Sequence, residues 1–371
     1  MMNSGRTTMF DYYNSTRSER QLKSLTGLGK KQFEELLLAF SESLTEISDE
    51  AYRKNRTKRS RRPGGGRKGQ LLSTKNKLFF ILFYLKNYPT FDVLGFIFDL
   101  NPSNAEENVK KLLPVLERAQ SKLNVLPFRS IKSDYELEEA LEKVAKPSDI
   151  TEKETKNQTI EHQANLPQTT VSSIVSSIEN TSESTTVAST DTDELLAFID
   201  VTERSHFRPK NNRLQKKYYS GKKKRHTVKN TLISDNKRRV IFLGRTFKGS
   251  LHDDKIFKKE LPPSRLDFSE VKIAVDLGYQ GIKKDYSSAR QISIPNKKPR
   301  KSKENPNPSL TRKQKAQNKK MASKRVVVEH AIGGMKAFQI LSAKFRNNMT
   351  KNWVDEVIFQ VAGLWNLKIR C

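Results

Sequence analysis

Two apolar runs of strand length, each ending in an aspartate, constrain this chain more than any other feature: "LLAFIDVTE" carries Asp200 and "VKIAVDLGYQGI" carries Asp276. Short apolar runs rich in β-branched and aromatic residues read as buried strands. Between them, "KKYYSGKKKRHTVKNTLISD" and "RRVIFLGRTF" read as further antiparallel strands and "HDDKIFKKEL" as a short helix. Residues 323–345 have helical spacing and carry Glu329, and a last helix over 351–366 holds both tryptophans. Strands with helices on the far side of their sheet make a mixed α/β domain, here residues 194–371.

Composition divides the rest. Residues 1–50 form an N-terminal helical segment, with Leu22, Leu25, Leu28, Phe33, Leu36 and Leu37 at three- and four-residue steps. Residues 51–70 hold nine Lys/Arg and no acid, a flexible basic linker able to lie along phosphates or to serve as a nuclear-import signal. Residues 71–145 are a denser all-α unit. "STKNKLFFILFYLKNY" starts at a Ser/Thr cap, "TFDVLGFIFDL" is a second helix, and a third is expected to start at Ser103, with Glu106 completing a capping box. Two helices joined by a short turn fit a helix-turn-helix, though generic helix pairs share the pattern. Glu106 and Glu107 in the first turn of the third helix suit its dipole but repel phosphates, which argues against base reading. Residues 146–193 read as a disordered linker. Within them, 169–192 has 14 Ser/Thr among 24 residues, too little apolar surface to offset the entropy of ordering.

The 371 residues carry 70 Lys+Arg against 41 Asp+Glu, a formal net charge of +29. That balance implies a polyanionic partner. With no apolar run approaching a membrane span and no secretory signal at the N-terminus, the expectation is nucleic acid and no membrane. The one cysteine, Cys371, excludes disulfides within the chain and zinc sites built from several thiolates.

If the strands ending in Asp200 and Asp276 are neighbours, their carboxylates emerge side by side at one sheet edge, and Glu329 completes the cluster from a helix packed across the sheet. Oxygen-only ligands select Mg²⁺ or Mn²⁺. Two such ions roughly 3.5–4 Å apart can activate an attacking water and stabilise the leaving oxygen of a phosphodiester. For any one of these acids, capping a turn or pairing with a lysine is the bland alternative. Residues 204–229 hold eleven Lys/Arg and no acid. A hairpin there offers Lys222, Lys223, Lys224, Arg225 and His226 to a DNA strand, and Tyr218 and Tyr219 either stack on bases or pack in the core. His252, Asp253 and Asp254 read as the cap of a helix. Arg325, four residues before Glu329, and Lys336, seven after it, share its helix face and offer phosphate contacts. A salt-bridged surface helix is the competing reading of that face.

"FIDVTE", "YYSGKKKRHTVKN", "VDLGYQGI" and "RVVVEHAIGGMKAFQIL" together resemble the successive signatures of DDE transposases, in particular the insertion-sequence group related to Harbinger elements. "LSTKNKLFFILFYLKNYPTFDVLGFIFDLNPS" resembles the helix-turn-helix that precedes their catalytic domain. The resemblance covers most of the chain. It implies a ribonuclease-H-like catalytic domain, Mg²⁺-dependent cleavage at the ends of a mobile element, and strand transfer into target DNA. Asp200, Asp276 and Glu329 fall on the family's catalytic triad, and Arg325 and Lys336 on the basic residues that flank its glutamate. Ala322 stands where the family often has a tyrosine, and the Ser/Thr-rich stretch resembles an insertion expected to loosen the coupling of the two domains. The implied partners are double-stranded DNA, as terminal inverted repeats and as target, and a second copy of the chain, since two ends must be brought together. The expected place is the nucleoid in the cytoplasm of a bacterial host or the nucleus of a eukaryotic one. The alternatives are a transposase-derived DNA-binding protein without catalysis and a nuclease that cuts but never joins.

Overall fold

The computed structural model describes residues 12–55, 69–142, 196–289, 291–346 and 352–370. The stretch read as a disordered linker, and residues 56–68 of the basic linker, lie outside the described residues.

Helices come first: α1 (Tyr12–Ser15), α2 (Glu19–Thr26), α3 (Lys30–Lys54), α4 (Thr74–Asn87), α5 (Phe91–Phe98), α6 (Pro102–Lys122) and α7 (Asp134–Glu142). α4 is buried without a break from Leu78 to Leu85. A helix apolar all round must be covered all round, and α2, α3 and α6 pack against it. α6 does not start at Ser103. Its cap is Asn101, whose Oδ1 accepts from the Ser103 N–H at 3.1 Å, and Pro102 takes the first helical position. Proline lacks the N–H that position leaves unused and has its φ preset there. Glu106 and Glu107 therefore fall in the second turn, where they pair with Lys110 (2.6 Å) and Lys111 (3.0 Å).

The sheet follows: β1 (Leu196–Ser205), α8 (Asn212–Tyr218), β2 (Tyr219–Ser220), β3 (Arg225–Ser234), β4 (Val240–Leu243), β5 (Phe247–Lys248), α9 (Asp253–Glu260), β6 (Lys272–Ala274), a 3₁₀ turn (Leu277–Tyr279), α10 (Ile282–Asp285) and β7 (Gln291–Ser293). α11 (Arg312–Lys336), α12 (Gln339–Ser342) and α13 (Trp353–Ile369) close the chain. β4, β3 and β1 run antiparallel in turn, then β6 and β7 lie parallel beyond β1, while β2 and β5 also pair with β3. This mixed sheet behind a helical N-terminal region is consistent with a ribonuclease-H-like fold. Two elements differ from the sequence reading. The first half of "KKYYSG", Lys216 to Tyr218, ends helix α8, because Asn211 accepts from the N–H groups of Arg213 (2.9 Å) and Leu214 (3.2 Å) and caps it. The helix bearing Glu329 begins at Arg312, behind a Thr311–Gln314 capping box, and ends at Lys336.

Alternation along the strands splits the core. Ala197, Ile199, Ile233, Ile273 and Val275 face α7 and α9. Phe198, Leu232 and Ala274 face the other way, into a core that takes Val328, Ala331 and Met335 of α11, much of α13, and α2 to α6. Coupling between the helical unit and the sheet is thus close, contrary to the expected loosening. Gln120 Nε2 donates to the Gln360 carbonyl (2.9 Å) and Gln360 Nε2 to the Leu113 carbonyl (3.0 Å), tying α6 to α13 in both directions. No helix among the described residues is long and apolar enough to cross a membrane.

Candidate active site

Register decides where the aspartates go. Phe198 lies opposite Ala274 in the parallel β1–β6 pair. Two residues further on are Asp200, within β1, and Asp276, in extended backbone just past the end of β6, and continuing the register puts both at one level and on one face, with neighbouring strands about 4.8 Å apart. Asp276 keeps an extended backbone (φ −82°, ψ 169°) and makes no side-chain cap to the 3₁₀ turn that follows. Its carboxylate is not consumed by capping, although it does pair with a cation, Arg325. Asp200 lies opposite Leu232, on the sheet face covered by α11.

Glu329 reaches this pair through an arginine. Arg325 Nη1 is 3.2 Å from Asp276 Oδ1, and its Nη2 is 3.7 Å from Glu329 Oε1. Among the described residues no three His, Cys, Asp or Glu side chains stand close enough to hold one ion. The sequence pattern led to three carboxylates in direct convergence. The structure instead puts two aspartates side by side and links the glutamate to them by a guanidinium, whose charge offsets the repulsion among the anions. Arg325, expected to meet phosphate, is itself a nearly covered part of the acid cluster, with a side chain 14% exposed.

The donor set still suits a hard divalent cation, being all carboxylate. Burial pushes the pKa of Asp200 up. The Val201 N–H and Arg325 oppose the rise, while Asp276 and Asp253 add to it. A cation beside Asp200 would relieve both burial and repulsion. Below the acids Tyr279 is buried with its hydroxyl unpartnered, and burial followed by Asp200, Asp253, Asp276 and Asp254 keeps the phenol protonated. Asp253 was legible only as a helix cap. His252, at the cap position of α9, makes no side-chain cap bond, and Asp253 instead takes the Lys229 ammonium at 2.9 Å. Its approach to Asp200 is set by tertiary packing, for which the local sequence carries no signal.

The cationic frame is partly as expected. Lys222, Lys223, Lys224 and Arg225 are exposed on the β2–β3 turn. Gly221 there has no atom within 4 Å of a built Cβ, so the turn stands clear of the body. His226 is half-buried against the exposed Tyr219, while Tyr218 is stacked on His206 with ring centroids 4.8 Å apart. Tyr218 is therefore occupied, and Tyr219 presents a free ring face. Lys336 joins the turn to the acids. Burial lowers its pKa, Lys223 lowers it further, and Asp200 acts the other way.

Residues 199–366 match the family model described as DDE superfamily endonuclease, and residues 70–120 match the helix-turn-helix of DDE superfamily endonuclease. The chain belongs to the DDE superfamily of endonucleases. The first match contains Asp200, Asp276 and Glu329, and the second covers α4, α5 and most of α6. The chain is 36% identical over 178 residues to a probable transposase for insertion sequence element IS702 from Microchaete diplosiphon, a match covering 47% of this chain. The chain spans 58% of that relative's length. No solved structure matches it. The DDE endonuclease match extends to Asn366 on α13, beside Trp365. A Cβ on Gly334 of α11 would collide with the Trp365 ring. That contact seats the helix of Glu329 on the rest of the domain.

Proposed function

We propose that this DDE superfamily endonuclease is a DNA transposase that binds the ends of a mobile element, cuts phosphodiester bonds there and joins the 3′ ends to target DNA. The observation that carries this reading is the shared level and face of Asp200 and Asp276, with Glu329 tied to them by Arg325 and cationic side chains alongside. Asp200, Asp276 and Glu329 would hold Mg²⁺ or Mn²⁺, two ions in all. Bound there, the cations would supply activation of the attacking oxygen and Lewis-acid stabilisation of charge on the phosphate. The chain's own groups do the rest. Lys222, Lys223, Lys224 and Arg225 hold phosphates on the exposed turn, His226 and Tyr219 border them, and Lys336 carries the positive surface up to Asp200. Arg325 keeps Asp276 and Glu329 in register until phosphate or cation competes for them.

Incubation with supercoiled plasmid and Mg²⁺ tests this. Wild type is expected to nick, and Asp276→Ala to lose at least about a hundredfold in rate. Equal nicking by both proteins would sink the reading. Precut element ends mixed with target DNA separate a transposase, which yields joined products, from a nuclease that never joins. The guanidinium lodged between Asp276 and Glu329 favours a second reading, a transposase-derived DNA-binding protein. Salt-dependent DNA binding with no cleavage in any divalent metal would establish it. Pairing of two copies on two DNA ends, and residence in the bacterial nucleoid or eukaryotic nucleus, belong to the same proposal.

A further inference from the structure

A groove of about 680 Å³ lies between the parallel outer strands β6 and β7 and the first half of α11. Its lining includes the exposed Lys283, Lys320 and Lys324 and the more covered Lys272 and Arg325, and no residue lining it is acidic. Its floor is apolar, formed by Leu196, Ala274, Ile292, Ile294 and Met321. The helix side follows from helical spacing: Gln317, Lys320, Met321, Lys324 and Arg325 recur at three and four residues and share one face. The position of α11 is pinned by Asn296, whose N–H donates to Asn318 Oδ1 at 2.7 Å and whose carbonyl accepts from Asn318 Nδ2 at 2.9 Å. Arg325 belongs both to the groove and to the acids, since it also reaches Asp276.

A cationic rim over an apolar floor is the chemistry of an unpaired nucleotide strand. Ammonium groups meet the phosphates, and the bases lie on the apolar surface, which every base tolerates. The volume falls within the roughly 300–1,000 Å³ of clefts that enclose small ligands, and a duplex cannot enter such a space. We propose that this groove seats a short single-stranded DNA segment continuing from the phosphate to be cut beside Asp200 and Asp276. The direction of that strand rests on the cutting activity proposed above, while occupancy of the groove does not.

Fluorescence anisotropy of the full chain with a labelled ten-nucleotide oligothymidylate, across a salt series, tests this. Lys320→Ala/Lys324→Ala is expected to weaken binding at least about tenfold and to flatten the log–log salt slope by about 1.4, at roughly 0.7 per lost single-strand contact. Met321→Ser is expected to weaken binding with the slope unchanged. Lys110→Ala/Lys111→Ala on α6, the same change in side-chain type at a distance, is expected to leave the oligonucleotide affinity within twofold. Equal losses from the α6 and α11 pairs, or no loss from the α11 pair, would overturn the groove. The two proposals fail separately. Groove-dependent binding by a wild-type protein that never nicks DNA removes the cutting activity and keeps the groove. Nicking abolished by Asp276→Ala, beside oligonucleotide binding indifferent to Lys320 and Lys324, does the reverse.

Discussion

α6 and α11 are both long, lysine-rich helices, and they treat their charge in opposite ways. On α6 every Lys and Arg has an acid: Lys110 and Lys111 pair with Glu106 and Glu107 one turn back, Arg118 with Glu50 (2.7 Å), and Lys122 with Glu42 (3.0 Å) and Glu46 (2.7 Å) of α3. On α11 seven basic residues precede the first acid, Glu329; Arg325 is covered and paired, and the other six, Arg312, Lys313, Lys315, Lys319, Lys320 and Lys324, are exposed. α6 is bound to its neighbours by the charges that would otherwise suit DNA, whereas α11 offers its charges outward. Cationic composition alone therefore does not identify a nucleic-acid surface. The placement of carboxylates four residues back, or on the facing helix, decides it.

If α6 is scaffold and α11 is ligand surface, core truncation and charge removal should separate cleanly. Leu116→Ala on α6, fully buried, should cost about 2–5 kcal/mol in urea unfolding. Lys324→Ala on α11 should stay within about 0.5 kcal/mol. A large loss from the lysine would erase the distinction.

A carboxylate without a cation beside it behaves differently again. Glu260, at the end of α9, is half-buried and accepts from the Arg245 N–H, and its burial pushes its pKa up from 4.5 to about 7 against that bond. Between those values the folded state binds more protons than the unfolded one, so stability falls as pH rises through that window. Glu260→Gln, which does not ionise, should match wild type below pH 4.5 and gain steadily toward pH 7, to at most about 3 kcal/mol. Thermal melts across that range check the sign. A gain that grows toward acid would refute the buried-acid account.

Duplex binding gives the next test. Lys315→Ala/Lys319→Ala should reduce the salt slope for a DNA duplex by up to about 1.8, at roughly 0.9 per contact. Lys110→Ala/Lys111→Ala should leave it unchanged, and the reverse outcome would exchange the roles of the two helices. The smallest effect lies at the helix starts. Asn101→Ala should lower global stability by about 1 kcal/mol, because Ala105 and Val109 already fix the first two turns of α6 in the core. Thr311→Ala should instead raise amide exchange in the first turns of α11 with little change in the global melt, since that half of the helix is exposed.

The same contrast explains what the sequence disclosed. Asp200 and Asp276 were legible because each ends an apolar run, and their shared level follows from strand register. The first half of α11 was missed because it has no apolar stripe, leaving only the Thr311–Gln314 box as a local signal. α8 was hidden by the tyrosines at its end, Tyr218 within it and Tyr219 just after, and its cue was the Asn211 cap. The bridging role of Arg325 and the proximity of Asp253 to Asp200 depend on packing between distant segments. Periodicity carries no record of such contacts.

The reciprocal glutamine bonds between α6 and α13 have a mechanical consequence. A helix-turn-helix on a slack tether would let the cutting centre sample many phosphates along a bound duplex. Here the two regions share an interior, with Gln120 and Gln360 as its rivets. On the function proposed above, DNA gripped by the helical unit would meet the acids at a fixed offset, and the protein would gauge the distance from grip to cut as a ruler does.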